Sequence, residues 1–353
     1  MEFSSTKSWL ALFAISLPLA WGARLLGFPA AFLVGPMVGA MLFSLSVPTR
    51  IRVPGNALAC VQALLGCATA RAITATFLDS VGRNGLLMLL VVGVTILSGA
   101  LVGWVLVRYG ALPGSTAAWG SSPGGANAMI AMAAEYGADV RLVAFMQYLR
   151  VILVVLTATL VSHFLLGEAS SAPLPPLVAT TPLVPVLRTL AITAVAGFLG
   201  KWSKIPSGAL LAPMLLGGVL HAMGVELVLP TWLLAIANVA LGWYVGLGFS
   251  RDILGYVFRA IPQLLVSTFL LIGMCAFSGW MLTCLTHLDP LTTYLATSPG
   301  GVDSIAIIAL GSQVDMSFVM AMQTLRLFLV ILTGPRIARL LSRHARVNPS
   351  GLA

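Results

Sequence analysis

The chain has 353 residues, of which 59% are hydrophobic and only 8% are charged, and its mean hydropathy is +1.02. Ordinary soluble domains are about 25% charged, so this composition excludes a soluble globular protein and predicts an integral membrane protein. The net charge of +9 arises from scattered Lys and Arg residues rather than from a basic patch, which argues against direct binding of nucleic acid.

Six apolar segments follow one another in the first half of the chain, near residues 8–27, 29–47, 55–78, 85–108, 114–136 and 140–166. A membrane-spanning helix needs about 20 mostly apolar residues, so each segment is predicted to be helical. The fifth segment differs from the others because Ser122, Pro123, Gly124 and Gly125 stand at its centre. Proline cannot donate a backbone hydrogen bond and glycine tolerates unusual dihedral angles. We therefore predict a broken helix, with a new helix starting directly after the break.

The second half of the chain repeats this pattern. Ser298, Pro299, Gly300 and Gly301 lie 176 positions after the first motif. At the same spacing, Gln147 and Arg150 correspond to Gln323 and Arg326. A fixed register of this kind is the signature of an internal repeat. The sequence therefore predicts a first membrane repeat over residues 1–168, a Pro- and Ser-rich linker over 169–182 and a second membrane repeat over 183–353.

The distribution of basic residues suggests the topology of the two halves. If each interrupted segment enters the membrane and returns to the same side, each half crosses five times. The two halves are then inverted relative to each other, and among the basic loop residues only Arg24, Arg83 and Arg188 face outward. We expect an all-α polytopic membrane protein of two inverted repeats, with both termini in the cytoplasm. Each repeat has five crossings and one interrupted segment, which is either re-entrant or a broken crossing helix.

The two interruptions are candidate binding sites. Unpaired backbone groups at membrane depth are tolerated only where protein or a water-filled cavity surrounds them. A helix N-terminus attracts anions, and Gly/Pro-interrupted segments at matching positions of two halves are typical of transporter sites. Asn127 and Asp303, two residues after the second glycine of each motif, could cap the helix or bind a ligand, and Ser304 lies beside Asp303. The alternative is a packing kink with local capping.

The arginine of each repeat lies inside an apolar segment. An arginine at bilayer depth costs from about 3 to more than 10 kcal/mol, so it should be paired or face water. Gln147 and Arg150 are three residues apart and lie on one helix face, and the same is true of Gln323 and Arg326. An ion pair between Arg326 and Asp303 would give these residues a structural role. With two arginines and one nearby aspartate, at least one guanidinium is left for an anionic ligand.

Other motifs favour structural roles. Asp139 and Asp315 precede apolar segments and are predicted to cap helices, and the Gly242-x-x-x-Gly246 spacing is typical of close helix packing. The four histidines have no second ligand at metal-binding spacing, and no nucleophile or nucleotide-binding motif is present. We therefore expect no metal site, no cofactor and no enzymatic activity.

The duplicated Ser-Pro-Gly-Gly motif, the Met-Gln-x-Leu-Arg sequence that follows it and an upstream Pro-x-x-x-Leu-x-x-Pro-Met sequence resemble the AbrB family of bacterial inner-membrane proteins. The resemblance covers essentially the whole chain and implies location in the bacterial inner membrane. Labels attached to members of that family include ammonia monooxygenase and regulator of gene expression. The family also resembles the cation:proton antiporter and anion transporter group, whose members use inverted repeats and discontinuous helices. By that analogy, the segments at Ser122 and Ser298 meet near the membrane midplane.

These patterns favour a secondary transporter of a small anionic solute, which binds at the two Ser-Pro-Gly-Gly segments. The expected partners are the lipid bilayer and that solute, with H⁺ or Na⁺ as a coupling ion and a second copy of the chain as open alternatives. A second hypothesis is a membrane sensor that binds a solute without moving it and regulates gene expression indirectly. A third, a membrane monooxygenase, would require copper or iron.

Overall fold

The computed structural model describes residues 5–26, 30–46, 51–109, 114–166, 182–203, 207–310 and 314–342. Throughout these ranges the regular secondary structure is helical, and no strand is present. The predicted all-α class is therefore confirmed. Nearly all of the predicted linker over 169–182 lies outside the described ranges.

The six apolar segments of the first half are all helical, and the fifth is divided in two. The helices are α1 (Ser5–Leu25), α2 (Ala31–Ser46), α3 (Gly55–Ala70), α4 (Ala75–Tyr109), α5 (Gly114–Ser121), α6 (Ala126–Glu135) and α7 (Val140–Leu166). Helix α3 ends earlier than the predicted segment because the chain turns after Ala70, where Ile73 N donates to Ala70 O. Helix α4 starts before the predicted fourth segment and is kinked at Asn84, whose backbone is non-helical.

The second half follows the same order of long, short and divided helices. Its helices are α8 (Leu183–Trp202), α9 (Gly208–Ala222), α10 (Thr231–Gly246), α11 (Arg251–Thr286), α12 (Pro290–Thr297), α13 (Val302–Leu310) and α14 (Met316–Ser342). The divided helix again breaks at the Ser-Pro-Gly-Gly motif, between Thr297 and Val302. The inversion of the two halves stays a prediction.

Several helices are long and apolar enough to cross a bilayer. In the described part of the chain six helices meet this criterion, over Lys7–Leu25, Phe77–Tyr109, Val140–Phe164, Leu183–Trp202, Val257–Thr286 and Met316–Leu341. Four further apolar helices, α2, α3, α9 and α10, have only 15 or 16 residues. Large apolar side chains are exposed on the long helices, such as Phe164 at 82% and Phe198 at 70%. Exposed apolar surface of this extent is expected where helices face lipid, and the protein is accordingly a membrane protein.

The chain divides into two compact units, and each unit takes helices from both halves. Unit 1 comprises Met1–Arg83 and Ser170–Val257, and unit 2 comprises Asn84–Ala169 and Phe258–Ala353. In unit 1, α2 packs on α10 and α3 packs on α9. Glycines allow this close approach: a Cβ added at Gly242 would lie 2.5 Å from Leu33 O, and one added at Gly66 or Gly246 would collide with the backbone of the facing helix. The packing role predicted for Gly242 and Gly246 is therefore confirmed.

Unit 2 contains both divided helices. The pair α5 and α6 packs on α7, and the pair α12 and α13 packs on α14. Helices from the two halves also contact each other: α14 packs on α5, and α7 packs on α12 and α13. This arrangement places both interrupted segments, and the helices that carry the buried arginines, in one compact body.

Candidate functional site

The first break lies between α5 and α6. Gly124 N donates to Ser122 O over 2.8 Å, which turns the chain, and Pro123 has no N–H to continue the hydrogen bonds of α5. The last carbonyls of α5 consequently have no partner within their own helix. Helix α6 starts after Gly125, whose backbone is extended and which is not capped by a side chain. The predicted break is therefore present.

The unpaired carbonyls of α5 accept hydrogen bonds from two side chains of α7. Gln147 Nε2 donates to Trp119 O at 2.9 Å and to Ser122 O at 3.1 Å. Arg150 Nη1 donates to Ser122 O at 2.6 Å, and its Nη2 donates to Gly124 O at 3.0 Å. The guanidinium also donates to Gln147 Oε1 at 2.8 Å. Gln147 and Arg150 thus act together as a side-chain cap on the C-terminus of α5, where a positive charge matches the helix dipole.

The second break repeats this geometry. Gln323 Nε2 donates to Leu295 O at 2.6 Å and to Ser298 O at 3.2 Å. Arg326 donates through Nη1 to Ser298 O and through Nη2 to Gly300 O at 2.7 Å and to Gln323 Oε1 at 2.6 Å. The structure therefore brings Ser122, Gly124, Gln147 and Arg150 together at one break, and their counterparts together at the other.

Neither guanidinium is fully satisfied by these contacts. Arg150 is 2% exposed and Arg326 is 3% exposed, and the Nε atom of each is buried without a hydrogen-bond partner. Neither Arg150 nor Arg326 forms an ion pair with a described carboxylate. Unit 2 therefore holds two buried arginine side chains, one at each broken helix.

The residues after the second glycine differ between the two copies. Asn127 is the second residue of α6 and does not cap it; its Oδ1 accepts a 2.8 Å hydrogen bond from the Tyr148 hydroxyl. Asp303 and Ser304 occupy the second and third positions of α13. The side chain of Asp303 lies outside the described atoms, so the predicted alternative of an Arg326–Asp303 ion pair stays a prediction.

A small pocket opens beside the first break. Its empty volume is about 280 Å³, including the part open to the surface of unit 2. The polar residues of its lining are Arg150, Ser121 of α5, and Ser267 and Thr268 of α11. Arg150 is thus placed both against the carbonyls of the break and at the wall of a cavity.

The aspartates that precede α7 and α14 are helix caps, as predicted. Asp139 Oδ1 accepts from Arg141 N at 3.0 Å, and Asp315 Oδ1 accepts from Phe318 N at 3.0 Å. Asp139 also binds the Arg141 side chain through both carboxylate oxygens, at 2.8 and 2.7 Å. Burial by itself would raise the pKa of Asp139, but the hydrogen bonds and charge of Arg141 outweigh it and the pKa is lowered. These residues stabilise helix ends and lie outside the breaks.

Metal-ligating residues do not cluster in the described part of the chain, where no group of three or more His, Cys, Asp or Glu could hold an ion. The cysteines Cys60, Cys67, Cys275 and Cys284 are free thiols.

Sequence reasoning missed several polar residues of the site. Tyr148 holds Asn127, and Ser267 and Thr268 line the pocket, but none of these was a candidate. Tyr148 stands between Gln147 and Arg150 within an apolar segment, so the sequence could have indicated that its hydroxyl group belongs to the site. Ser267 and Thr268 gave no such signal, because single hydroxyls in long apolar helices commonly bond to their own backbone, as Ser267 does to Leu264 O at 2.9 Å.

Comparison with known proteins relates the chain to one family. The model of the family described as "Transition state regulatory protein AbrB" matches residues 32–342. A protein of Escherichia coli (strain K12) named "Putative regulator AbrB" is 48% identical over 339 residues, covering 96% of this chain and 97% of that protein. "Uncharacterized protein YhjN" of Bacillus subtilis (strain 168) is 32% identical over 263 residues, covering 70% of this chain and 68% of that protein. No solved structure matches the chain at a significant level.

Proposed function

This chain belongs to the AbrB family, and we propose that it is a secondary transporter of a small anionic solute, bound at the two broken helices of unit 2. The observation that carries the proposal is the pair of buried arginines, each with a buried Nε atom that has no partner. Hydrogen bonds to carbonyl oxygens satisfy the Nη atoms of each guanidinium and leave its Nε without an acceptor. An anion would supply that acceptor together with a negative charge.

The surrounding backbone favours the same ligand. At each break, Arg150 or Arg326 caps the C-terminus of the preceding short helix. The following helices, α6 and α13, begin at the same break, and the first N–H groups of a helix have no acceptor within it. The N-terminus of a helix therefore adds positive potential next to each guanidinium.

Transport is favoured over simple binding because the breaks occur twice, at matching positions of the two halves. Discontinuous helices that place polar backbone at membrane depth are a recurrent feature of secondary transporters, and unit 2 contains both pairs. Coupling to H⁺ or Na⁺ belongs to the proposal, with Asp303 on α13 as the candidate carboxylate. Movement of unit 2 as one body would carry both breaks together.

A thermal-stability experiment separates a ligand-binding arginine from a purely structural one. Purified protein in detergent is titrated with sodium salts of organic and inorganic anions, and the variants Arg150→Met and Arg326→Met are treated identically. A ligand that binds only the folded state stabilises it by about 2.7 kcal/mol at 100 times its Kd. We expect one anion class to raise the Tm of the unmodified protein and to have no effect on either variant.

Arg83→Met provides the matched control, because Arg83 is an exposed arginine in an i,i+4 ion pair. It changes the net charge equally and should keep the full ligand response. The proposal is refuted if none of the anions raises the Tm of the unmodified protein. It is also refuted if an anion raises the Tm of both buried-arginine variants as much as that of the unmodified protein, because Arg150 and Arg326 would then have only a structural role.

A regulatory function is the second candidate, because the E. coli relative carries the name of a regulator. A sensor of this kind would bind the anion through the same arginines without moving it. Flux of the stabilising anion into liposomes containing the purified protein distinguishes the two. Saturable flux that is lost in Arg326→Met supports transport, whereas arginine-dependent binding without flux supports a sensor.

A further inference from the structure

We propose that each interrupted segment is a re-entrant hairpin with a threonine closing its base, and that the two hairpins enter the membrane from opposite faces. All of the residues concerned lie in unit 2, which contains both segments. The path of the chain does not depend on a ligand, so its failure in an experiment would leave the proposed anion binding standing.

The two ends of the first interrupted segment lie side by side. Asp139 N donates to the Thr116 hydroxyl at 3.0 Å, although these residues are 23 positions apart. A continuous helix of that length would separate them by about 34 Å, more than the roughly 30 Å of the hydrocarbon core. The rings of Trp119 and Tyr136, with centroids 5.4 Å apart, also join α5 to the end of α6. The chain therefore enters along α5, turns at the break and returns along α6 to the side from which it came.

The second segment closes in the same way. Asp315 N donates to the Thr292 hydroxyl at 3.1 Å, again across 23 positions. Thr292 and Asp315 lie 176 positions after Thr116 and Asp139, the spacing of the repeat. Both threonines are 1% exposed, so each hydroxyl satisfies a backbone N–H away from water. A threonine of the first short helix thus closes the base of each hairpin.

The tips of both hairpins lie near the middle of the membrane. Arg150 is ten positions after the start of the span Val140–Phe164, and Arg326 is ten positions after the start of Met316–Leu341. Ten helical residues extend about 15 Å, half of the hydrocarbon thickness of about 30 Å. Because each arginine donates to carbonyls of its break, the breaks lie at that depth.

Contacts along α14 give the direction of the first hairpin. Helix α14 starts at Asp315, the base of the second hairpin. Farther along, a Cβ added at Gly124 of the first break would lie 3.0 Å from Val330, and one added at Gly334 would lie 3.2 Å from the Trp119 ring of α5. Trp119 precedes the break, on the way to the base. If both hairpins entered from one face, Trp119 would instead lie beside a residue before Val330.

Helix α7 makes the corresponding contact with the second hairpin. A Cβ added at Gly300 would lie 3.1 Å from Val154, and these residues are the counterparts of Gly124 and Val330 at the spacing of 176. Helix α7 starts at the base of the first hairpin, whereas α14 starts at the base of the second. The two equivalent helices therefore run past the breaks in opposite directions, as inverted repeats require.

The charges around the two hairpins differ in the same sense. Arg108 and Arg141 flank the first hairpin, whereas the sequence has no Lys or Arg between Arg259 and Arg326, the stretch that contains the second. Basic residues concentrate in cytoplasmic loops. The first hairpin is therefore assigned to the cytoplasmic face and the second to the opposite face.

Cysteine accessibility in the full-length protein tests this path. The variants Cys60→Ser and Cys284→Ser together remove the two exposed thiols and leave Cys67 and Cys275 buried. Single cysteines are then introduced and treated with a membrane-impermeant maleimide in right-side-out and inside-out membrane vesicles. The background without an introduced cysteine is the control and should not react. Labelling after solubilisation in detergent shows that each introduced thiol is reactive.

The reporter cysteines replace exposed residues on both sides of each hairpin. Tyr109→Cys and Glu135→Cys flank the first hairpin, and Pro290→Cys and Ser317→Cys flank the second. We expect the first pair to react only in inside-out vesicles and the second pair only in right-side-out vesicles. Reaction of the two members of one pair from opposite faces would show that the segment crosses the membrane. Reaction of all four from one face would show that the hairpins are parallel. Either result overturns the inference.

Oxidation of paired cysteines provides a measurement that needs no access from either face. Thr116→Cys combined with Asp139→Cys places two thiols at one base, so we expect copper phenanthroline to join them in a disulfide. Glu135→Cys combined with Ser317→Cys is the matched control, because these positions belong to opposite faces, and its thiols should stay reduced. A control pair that forms the disulfide while the Thr116→Cys/Asp139→Cys pair stays reduced would overturn the inference.

Discussion

Gln147 and Arg150 bind the same carbonyl oxygen, that of Ser122, and also bind each other through a 2.8 Å hydrogen bond from Arg150 Nη2 to Gln147 Oε1. The glutamine oxygen therefore orients the guanidinium, while its amide nitrogen and the guanidinium together satisfy the end of α5. The carbonyls are available to both side chains because Pro123 interrupts the helix. The break and its cap are thus one structural element, built from two segments that lie 25 to 28 residues apart.

Replacement of Gln147 tests this coupling. Gln147→Leu keeps the size of the side chain but leaves Trp119 O without its donor and removes one acceptor of Arg150. Because buried polar groups without partners cost about 1–3 kcal/mol each, we expect the free energy of unfolding to fall by about 2–4 kcal/mol. Reversible unfolding in mixed micelles measures the change.

The control is Gln263→Leu, at a half-buried glutamine of α11 in the same unit. This variant should change stability by less than 1 kcal/mol, as is usual away from a buried network. Equal effects of the two substitutions would show that the bonds of Gln147 contribute nothing beyond those of an ordinary polar residue.

Helix packing in unit 1 gives a second prediction. A Cβ at position 242 would lie 2.5 Å from Leu33 O and 3.1 Å from Met37 N. Since these are backbone atoms of α2, Gly242→Ala must push the two helices apart, and we expect a loss of about 1–3 kcal/mol. Thermal unfolding in detergent measures this loss.

The paired control is Gly273→Ala in α11, where no described heavy atom outside the adjoining turns of the helix lies within 4 Å of the added carbon. Alanine there should leave the Tm unchanged or raise it slightly, because glycine is the weaker helix former. If Gly242→Ala also leaves the Tm unchanged, α2 and α10 are not in close backbone contact.

Much of the local structure was predictable from sequence because its causes are local. Proline and paired glycines fix the breaks at Ser122 and Ser298, an aspartate before an apolar run fixes the caps at Asp139 and Asp315, and the spacing of Gly242 and Gly246 fixes a packing face. Each feature depends on residues within about one helical turn of one another.

The partners of the buried polar groups were not predictable in the same way. The bonds from Arg150 to Ser122 O and from Tyr148 to Asn127 join separate helices, so they depend on how those helices pack. The division into units was equally hidden, because α5 and α7 from the first half lie with α12 and α14 from the second. Repeats that are consecutive in sequence therefore gave no indication that each unit combines both halves.

The cap of α7 gives a prediction on pH. The pKa of Asp139 is lowered in the folded protein, because the hydrogen bonds and charge of Arg141 outweigh the effect of burial. A lowered pKa means that the ion pair contributes fully above the unfolded value, near 4, and is lost as the pH falls through the folded value below it. Asp139→Asn removes the charge but keeps an acceptor for the helix end, so it should cost about 1 kcal/mol at pH 7. The Tm difference from the unmodified protein should be constant from pH 8 to about 5 and shrink toward pH 3.

The control is Asp79→Asn, which removes an exposed ion pair. The side chains of that pair, Arg83 and Asp79, are 75% and 62% exposed, so the substitution should change the Tm little at any pH. A Tm difference for Asp139→Asn that persists unchanged at pH 3 would show that its cost comes from packing at the helix end rather than from the charge of Asp139.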